Sequence, residues 1–257
     1  MNRLLNPLLF VLFANLLCIS DSLAAPTEMD KPLAVTVFVG QPMFLEGISD
    51  QTISTRLFFE GTLENPRQGL EGGEDALNER FVGFAPERII AEECLDLMKS
   101  SKKMAFPDLA IIPQAFLVPG TAKYLDSSRN PIMDDSNPFI PVTVDDYSWK
   151  NATLDWLNSP PDAKVLELSE WKEEAYTLEV TNFRTWVSVE ERYIQVMLFM
   201  RLMDHKEGKI VKKAAYIKGT ESLPRRLAWT DPKIFIPIYR ECVREAAEKG
   251  LKKLKMY

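Results

Sequence analysis

Alternating apolar and polar residues dominate the C-terminal third of the chain. Residues 176–187 and 193–203 alternate with a period of two, which is typical of half-buried strands. Residues 204–208 read Asp-His-Lys-Glu-Gly, a turn sequence in which Gly208 is free to adopt a positive φ. Residues 209–217 then resume the strand pattern. These segments predict an antiparallel meander of three strands with one apolar face.

Two other stretches place their apolar residues on one helical face. Residues 86–99 begin with Pro86, which suits the first turn of a helix, and repeat apolar side chains at helical spacing. Residues 235–255 do the same over a longer span and carry four lysines near their end, where cations complement the helix dipole. We expect this second helix to cover the apolar face of the meander.

Shorter apolar runs complete the predicted fold. The further predicted strands are residues 33–39, 53–59, 109–112 and 165–168. A strand directly after helix 86–99 is typical of α/β proteins. We therefore expect a single α/β domain over residues 25–257, in two or three layers, with a mostly antiparallel sheet.

The middle of the chain is irregular in pattern. Residues 113–161 contain seven prolines and predict an excursion over the surface, with a short strand at 140–144 and a helical turn at 152–157. A stretch of this length is either a functional lid or contains elements that the pattern does not reveal.

The first 24 residues have the organisation of a secretory signal peptide. Arg3 precedes an apolar run, and Ser22-Leu23-Ala24 is the small-x-small pattern of a signal peptidase site. We expect cleavage after Ala24 and a periplasmic or secreted domain. An uncleaved anchor is the alternative. Acylation of Cys18 is disfavoured, because Asn15 and Leu17 do not fit a lipobox.

Composition narrows the function classes. The chain has 257 residues, 46% of them hydrophobic and 26% charged, with a net charge of −6. Such a mildly acidic chain argues against nucleic acid as the main partner. Beyond the leader, no segment approaches the roughly 20 apolar residues that a membrane span needs. Membrane-peripheral association stays open.

Few residues offer catalytic or metal chemistry. His205 is the only histidine, and we expect it to be exposed in its charged turn, whereas zinc sites use several His or Cys ligands. Residues 126–137 lack the glycine and glutamate of a calcium loop. A looser carboxylate site or a solvated acidic loop could include Asp134, Asp135, Asp145 and Asp146. We expect no catalytic residue, no metal and no cofactor.

Four of the five tryptophans fall within forty residues: Trp149, Trp156, Trp171 and Trp186. Clustered aromatic side chains stack on sugars or anchor a protein partner. They also pack irregular segments onto a sheet, since large aromatic residues dominate cores.

Two cysteines remain after cleavage of the leader, Cys94 and Cys242. In an oxidising compartment they could form a disulfide. The alternative is two separate buried thiols on helix faces, because free cysteine packs as a small hydrophobic residue.

The end of the chain also resembles a known group of domains. The residues concerned are Leu202-Met-Asp204, Gly208-Lys-Ile-Val211 and the helix containing Cys242-Val-Arg-Glu-Ala-Ala. Over residues 176–255 the chain resembles bacterial envelope domains of the TolB N-terminal and curli-secretion lipoprotein kind. The chain departs from them in residues 113–161 and in its poor lipobox. The resemblance implies an α/β fold, envelope assembly, protein contacts and no catalysis.

Two hypotheses of function follow. The first is a non-catalytic exported scaffold or accessory protein that contacts other proteins in a cell-envelope complex. The second is an exported domain that binds a sugar or lipid through the tryptophan-rich segment 149–186. A hydrolase is the third alternative, and it would need carboxylates that the fold brings together.

Overall fold

The computed structural model describes residues 27–39, 43–46, 52–54, 84–112, 116–118, 146–160, 175–188, 191–225 and 228–257. The predicted leader and the predicted strands at 140–144 and 165–168 lie outside these residues. The predicted strand at 53–59 is described only as far as Ser54.

Ten strands and three α-helices lie within the described residues. The strands are β1 (Thr27–Glu28), β2 (Leu33–Val39), β3 (Met43–Glu46), β4 (Thr52–Ser54), β5 (Met104–Ala105), β6 (Leu109–Ile111), β7 (Phe116–Leu117), β8 (Tyr176–Ser188), β9 (Tyr193–Asp204) and β10 (Lys209–Ser222). The helices are α1 (Pro86–Lys99), α2 (Asp146–Asn158) and α3 (Pro232–Lys253), and a 3₁₀ turn spans Ala228–Thr230.

The predicted meander is confirmed. Strands β8, β9 and β10 pair antiparallel in chain order, with Asp204 opposite both Tyr176 and Lys209. Gly208 in the connecting turn has a φ of 62°. A glycine adopts this left-handed conformation without the steric cost that a Cβ would add.

Two of the helices also follow the sequence pattern. Helix α1 spans the predicted residues 86–99. Helix α3 begins three residues before the apolar stripe, because Asp231 caps it: the Asp231 carboxylate accepts the Lys233 N–H at 3.1 Å, and Pro232 occupies the first turn.

The α/β class is confirmed, and the sheet that carries it is mixed. The strand order is β10-β9-β8-β2-β6, with β2 parallel to both β8 and β6. Strand β7 also pairs with β2, and the β3–β4 hairpin pairs with the far end of β8. These parallel pairings join segments that are distant in sequence, so no local sequence pattern predicts them.

The sheet is covered on both faces, which gives three layers. Helix α3 packs on β9 and β10, and α1 packs beside it on β2 and β6, so together they bury one apolar face of the sheet. Helix α2 lies over the other face, where Trp156 and Leu157 join the second apolar cluster. A Cβ at Gly219 would lie 1.9 Å from the Cys242 carbonyl oxygen, so only glycine lets α3 approach β10 this closely.

Helix α2 corrects the expectation of a mere turn at 152–157. It is a helix of 13 residues within the stretch predicted to be irregular. Its sequence has a weak apolar stripe, because Trp156 and Leu157 are flanked by Asn151, Thr153 and Asp155. Tertiary contacts rather than periodicity support this helix.

Candidate functional site

Strand β10 forms one edge of the main sheet and pairs with β9 alone among the described strands. Two large apolar side chains are exposed in the described part of the chain, Val211 at 39% and Tyr216 at 44%, and both lie on β10. An edge strand also presents backbone N–H and C=O groups to a second chain. Strand β10 therefore combines two properties of a protein-binding edge.

Two irregularities in register shape this edge. The pairing with β9 shifts between Ile210 and Lys212 and again between Ala214 and Ile217, so Val211 and Tyr216 lie in bulges. Tyr216 has a φ of 53°, an uncommon conformation for a residue with a side chain. Its ring packs edge-to-face on Phe199, with centroids 4.8 Å apart. This contact helps to hold the tyrosine in one orientation at the surface.

Helix α3 closes the C-terminal part of the same edge. The Glu245 carboxylate accepts the Thr220 N–H at 2.7 Å, and Lys249 Nζ donates to the Lys218 carbonyl at 3.0 Å. Glu245 and Lys249 are also paired with each other at 2.7 Å. They occupy backbone groups that an incoming strand would use. The accessible part of the edge is therefore residues 209–216.

The side chains of β10 are mostly basic. Lys209, Lys213 and Lys218 are exposed, and Lys212 is half-buried. Lys209 pairs with Glu207 of the turn, and Lys213 donates to the side chain of Asn158 in α2. Lysines on an edge strand disfavour pairing between two copies of the same edge. They favour a partner segment that carries acidic residues.

An ion pair is buried between the sheet and α2. Glu179 of β8 lies opposite Arg201 of β9, and Arg201 Nε donates to Glu179 Oε2 at 2.6 Å. The two side chains are 0% and 1% exposed. Arg201 Nη1 also donates to the carbonyl oxygens of Trp156 and, at 2.9 Å, of Ser159. The last carbonyls of a helix have no partner within it, so Arg201 ties the end of α2 to the sheet.

His205 lies beside this pair and is not exposed. Its Nε2 is 2.6 Å from Thr177 Oγ1 and 3.7 Å from Glu179 Oε1, and its side chain is only 3% exposed. The expectation of an exposed turn histidine is therefore wrong. The ring packs against β8, where it forms a hydrogen bond with the Thr177 hydroxyl. Burial lowers the pKa of His205, and the charge of Arg201 lowers it further, while Asp204 acts in the opposite direction.

The tryptophans predicted to bind a ligand are only partly described. Trp156 is buried, with its ring 5.0 Å from the Phe38 ring and 4.4 Å from the Arg201 guanidinium carbon. Trp186 is half-buried, and the Arg184 guanidinium carbon lies 4.2 Å from the centre of its ring. The side chain of Trp149 and the whole of Trp171 lie outside the described residues.

Trp156 and Trp186 lie on the same side of the sheet. Val187 packs in the core under α1 and α3, so its strand neighbour Trp186 projects toward the face that α2 covers. Half-buried Trp186 of β8 and buried Trp156 of α2 therefore lie on the same side of the sheet. Their joint role in binding stays a prediction.

Cys94 and Cys242 are both buried and both free thiols. Cys94 lies on α1 and Cys242 on α3, where its Sγ is 3.5 Å from the Ile194 carbonyl oxygen. Burial raises the pKa of Cys94 to about 12 and also raises the pKa of Cys242. Both thiols are therefore protonated at neutral pH.

The described residues contain no group of three or more His, Cys, Asp or Glu that could hold a metal ion. Among the helices that the structure describes, none combines the length and the apolar character needed to cross a membrane.

The described residues form an α/β protein with three layers, in which residues 209–216 of β10 are an accessible stretch of sheet edge. No family model and no curated protein matches the sequence. The structure resembles the crystal structure of protein XCC0632 from Xanthomonas campestris, of family DUF330, with 8% identity over 90% of this chain and 91% of that chain and a TM-score of 0.35. A likeness this low supports no inference about site or function. The resemblance to TolB-like and curli-secretion domains stays a prediction.

Proposed function

We propose that this chain is a non-catalytic, exported accessory protein of a cell-envelope complex, and that it binds an envelope protein through residues 209–216 of β10. One observation carries the proposal: the exposed large apolar side chains of the described chain, Val211 and Tyr216, both lie on the sheet edge that is open to pairing. Export rests on the leader sequence in residues 1–24.

The chemistry of the edge favours one kind of partner. An extended segment can add to β10 as a further strand, with main-chain hydrogen bonds for affinity and side-chain contacts for specificity. Val211 and Tyr216 supply the apolar contacts. The exposed lysines flanking them favour an acidic segment, and the two bulges disfavour a regular strand from a second copy. The proposed partner segment is therefore extended and acidic.

Site-specific photo-crosslinking in the native host tests this proposal. A photoreactive residue at position 211 should give one discrete adduct with another envelope protein. The matched control places the same residue at Glu241, which is exposed on α3. A second variant, Tyr216→Asn, keeps a residue that tolerates positive φ and should reduce the yield from position 211.

The outcomes are distinguishable. An adduct from position 211 that is absent from 241 and weakened by Tyr216→Asn supports the edge as the binding surface. Recovery of monomer alone from both positions, or equal labelling at both, contradicts it.

Binding of a sugar or lipid is the second candidate function. The observation that favours it is that buried Trp156 of α2 and partly accessible Trp186 of β8 lie on the same side of the sheet. Addition of such a ligand should shift or quench tryptophan fluorescence, and Trp186→Ala should reduce the change. A flat response across a broad panel of sugars and lipids would argue against this candidate.

A further inference from the structure

Several segments bring lysines to one end of the sheet. The Ser101 hydroxyl, just after α1, donates to the Met256 carbonyl at 2.7 Å, so the end of α1 lies against the end of α3. Lys212 of β10 lies near enough to Lys255 to be affected by its charge. We call the following group the basic end: Lys99, Lys102, Lys103, Lys212, Lys253 and Lys255.

Within the part of the chain that the structure describes, ion pairs do not neutralise the charge of the basic end. Among the described residues, none of the six lysines forms an ion pair, whereas the adjacent Lys209 and Lys252 pair with Glu207 and Glu248. Among the described residues, the exposed carboxylates of the adjoining segments that form no ion pair are Glu28, Asp30, Asp96 and Asp108. The six cations outnumber them, although the whole chain carries a net charge of −6. The rest of the chain is therefore more negative than the whole.

The surroundings of Lys212 are consistent with this charge balance. Partial burial lowers its pKa, and the positive charge of Lys255 lowers it further. A lysine next to a neutralising carboxylate would show the opposite direction.

Strand β1 also lies at this end, where it pairs with β5. The Thr27 N–H donates to the Lys103 carbonyl at 2.8 Å, so the first described residue lies beside the basic end. The leader in residues 1–24 shortly precedes it in sequence. An uncleaved leader in a membrane would therefore hold the basic end close to the lipid surface.

We propose that the basic end binds the anionic headgroups of a phospholipid surface. Basic residues gain free energy next to an anionic membrane, and the more negative remainder of the chain is repelled from it, so the protein binds in one orientation. The proposal rests on the export proposed above. Lys212 belongs to both surfaces. The two proposals are nevertheless tested separately, because the lipid assay uses variants at Lys102 and Lys253, outside the β10 edge.

Vesicle flotation of the protein purified from its host tests the proposal. At about 0.05 M salt the protein should float with phosphatidylcholine vesicles that contain phosphatidylglycerol and not with phosphatidylcholine alone, and about 0.5 M salt should release it. The double variant Lys102→Glu/Lys253→Glu should weaken binding by about 20-fold or more, since each lysine near the surface contributes about fivefold.

A matched control has the same change in net charge at distant sites. Lys218→Glu/Lys233→Glu alters exposed lysines of β10 and of the first turn of α3 and should change binding by less than about threefold. Far-ultraviolet circular dichroism checks that both variants are folded. Equal loss in the two double variants, or no binding to anionic vesicles at low salt, overturns the proposal. Binding only to an acidic protein at this end overturns it as well.

Discussion

The buried ion pair between Glu179 and Arg201 allows a quantitative test of the structure. Replacing Glu179 with glutamine keeps the shape of the side chain and removes its charge. Arg201 then remains a buried cation, because its side chain is 1% exposed and its Nε donates to Glu179 at 2.6 Å. We expect a marked loss of stability from this single change.

The size of the effect follows from the surroundings of the pair. Two opposite unit charges about 4 Å apart attract by about 4 kcal/mol at an effective dielectric constant of about 20. Removing one partner of a buried pair costs about 3–5 kcal/mol. Arg201 retains the carbonyl oxygens of Trp156 and Ser159, so we expect the lower end, about 3 kcal/mol. For a chain of this size the melting temperature should fall by about 6–12 °C.

Urea unfolding followed by tryptophan fluorescence measures this difference. The matched control is Glu248→Gln, which makes the same chemical change in a pair with Lys252 whose side chains are 37% and 56% exposed. An exposed helix pair contributes about 0.3–0.5 kcal/mol, so the control should be nearly neutral. If Glu179→Gln destabilises the protein no more than Glu248→Gln does, the account of a buried pair that holds α2 to the sheet is refuted.

Three further predictions concern protonation, packing and thiols. The folded-state pKa of His205 lies below its ordinary value of 6.5, so the unfolded state binds the proton more readily. The stability that neutral His205 contributes should be fully present above about pH 6.5 and should decrease as the pH falls below it. In His205→Gln the stability should decrease less on acidification. Gly219→Ala should cost about 3 kcal/mol or more in urea unfolding, because its Cβ would overlap the helix backbone, whereas Gly208→Ala meets no atom and should cost about 1 kcal/mol for its positive φ. Cys94 and Cys242 should resist Ellman's reagent at pH 8 in the native protein and both react in about 6 M guanidinium without reductant.

Each of these three predictions can be contradicted by a specific experimental result. Equal acid sensitivity of the wild-type protein and His205→Gln would remove the histidine from the pH dependence. Equal costs of the two glycine substitutions would contradict the close approach of α3 to β10. An absence of titratable thiols in guanidinium would show that Cys94 and Cys242 form a disulfide.

Local patterns in the sequence determined the meander, its turn and two helices. Alternation with a period of two identified β8, β9 and β10, and Gly208 marked the turn between the last two. Helical periodicity with Pro86 at its start placed α1 within its observed bounds. These features depend on residues within a few positions of each other, so the information is present in any short window of the chain.

Contacts between distant segments decided the rest. The parallel pairing of β2 with β8, the docking of α2 through Arg201 and the burial of His205 all join residues that are far apart along the chain. The bulges that expose Val211 and Tyr216 depend on register with β9, which the composition of β10 does not encode. Periodicity shows which side of a helix or strand is apolar. Only the folded chain determines which buried polar side chains contact each other and which strand lies at an accessible edge of the sheet.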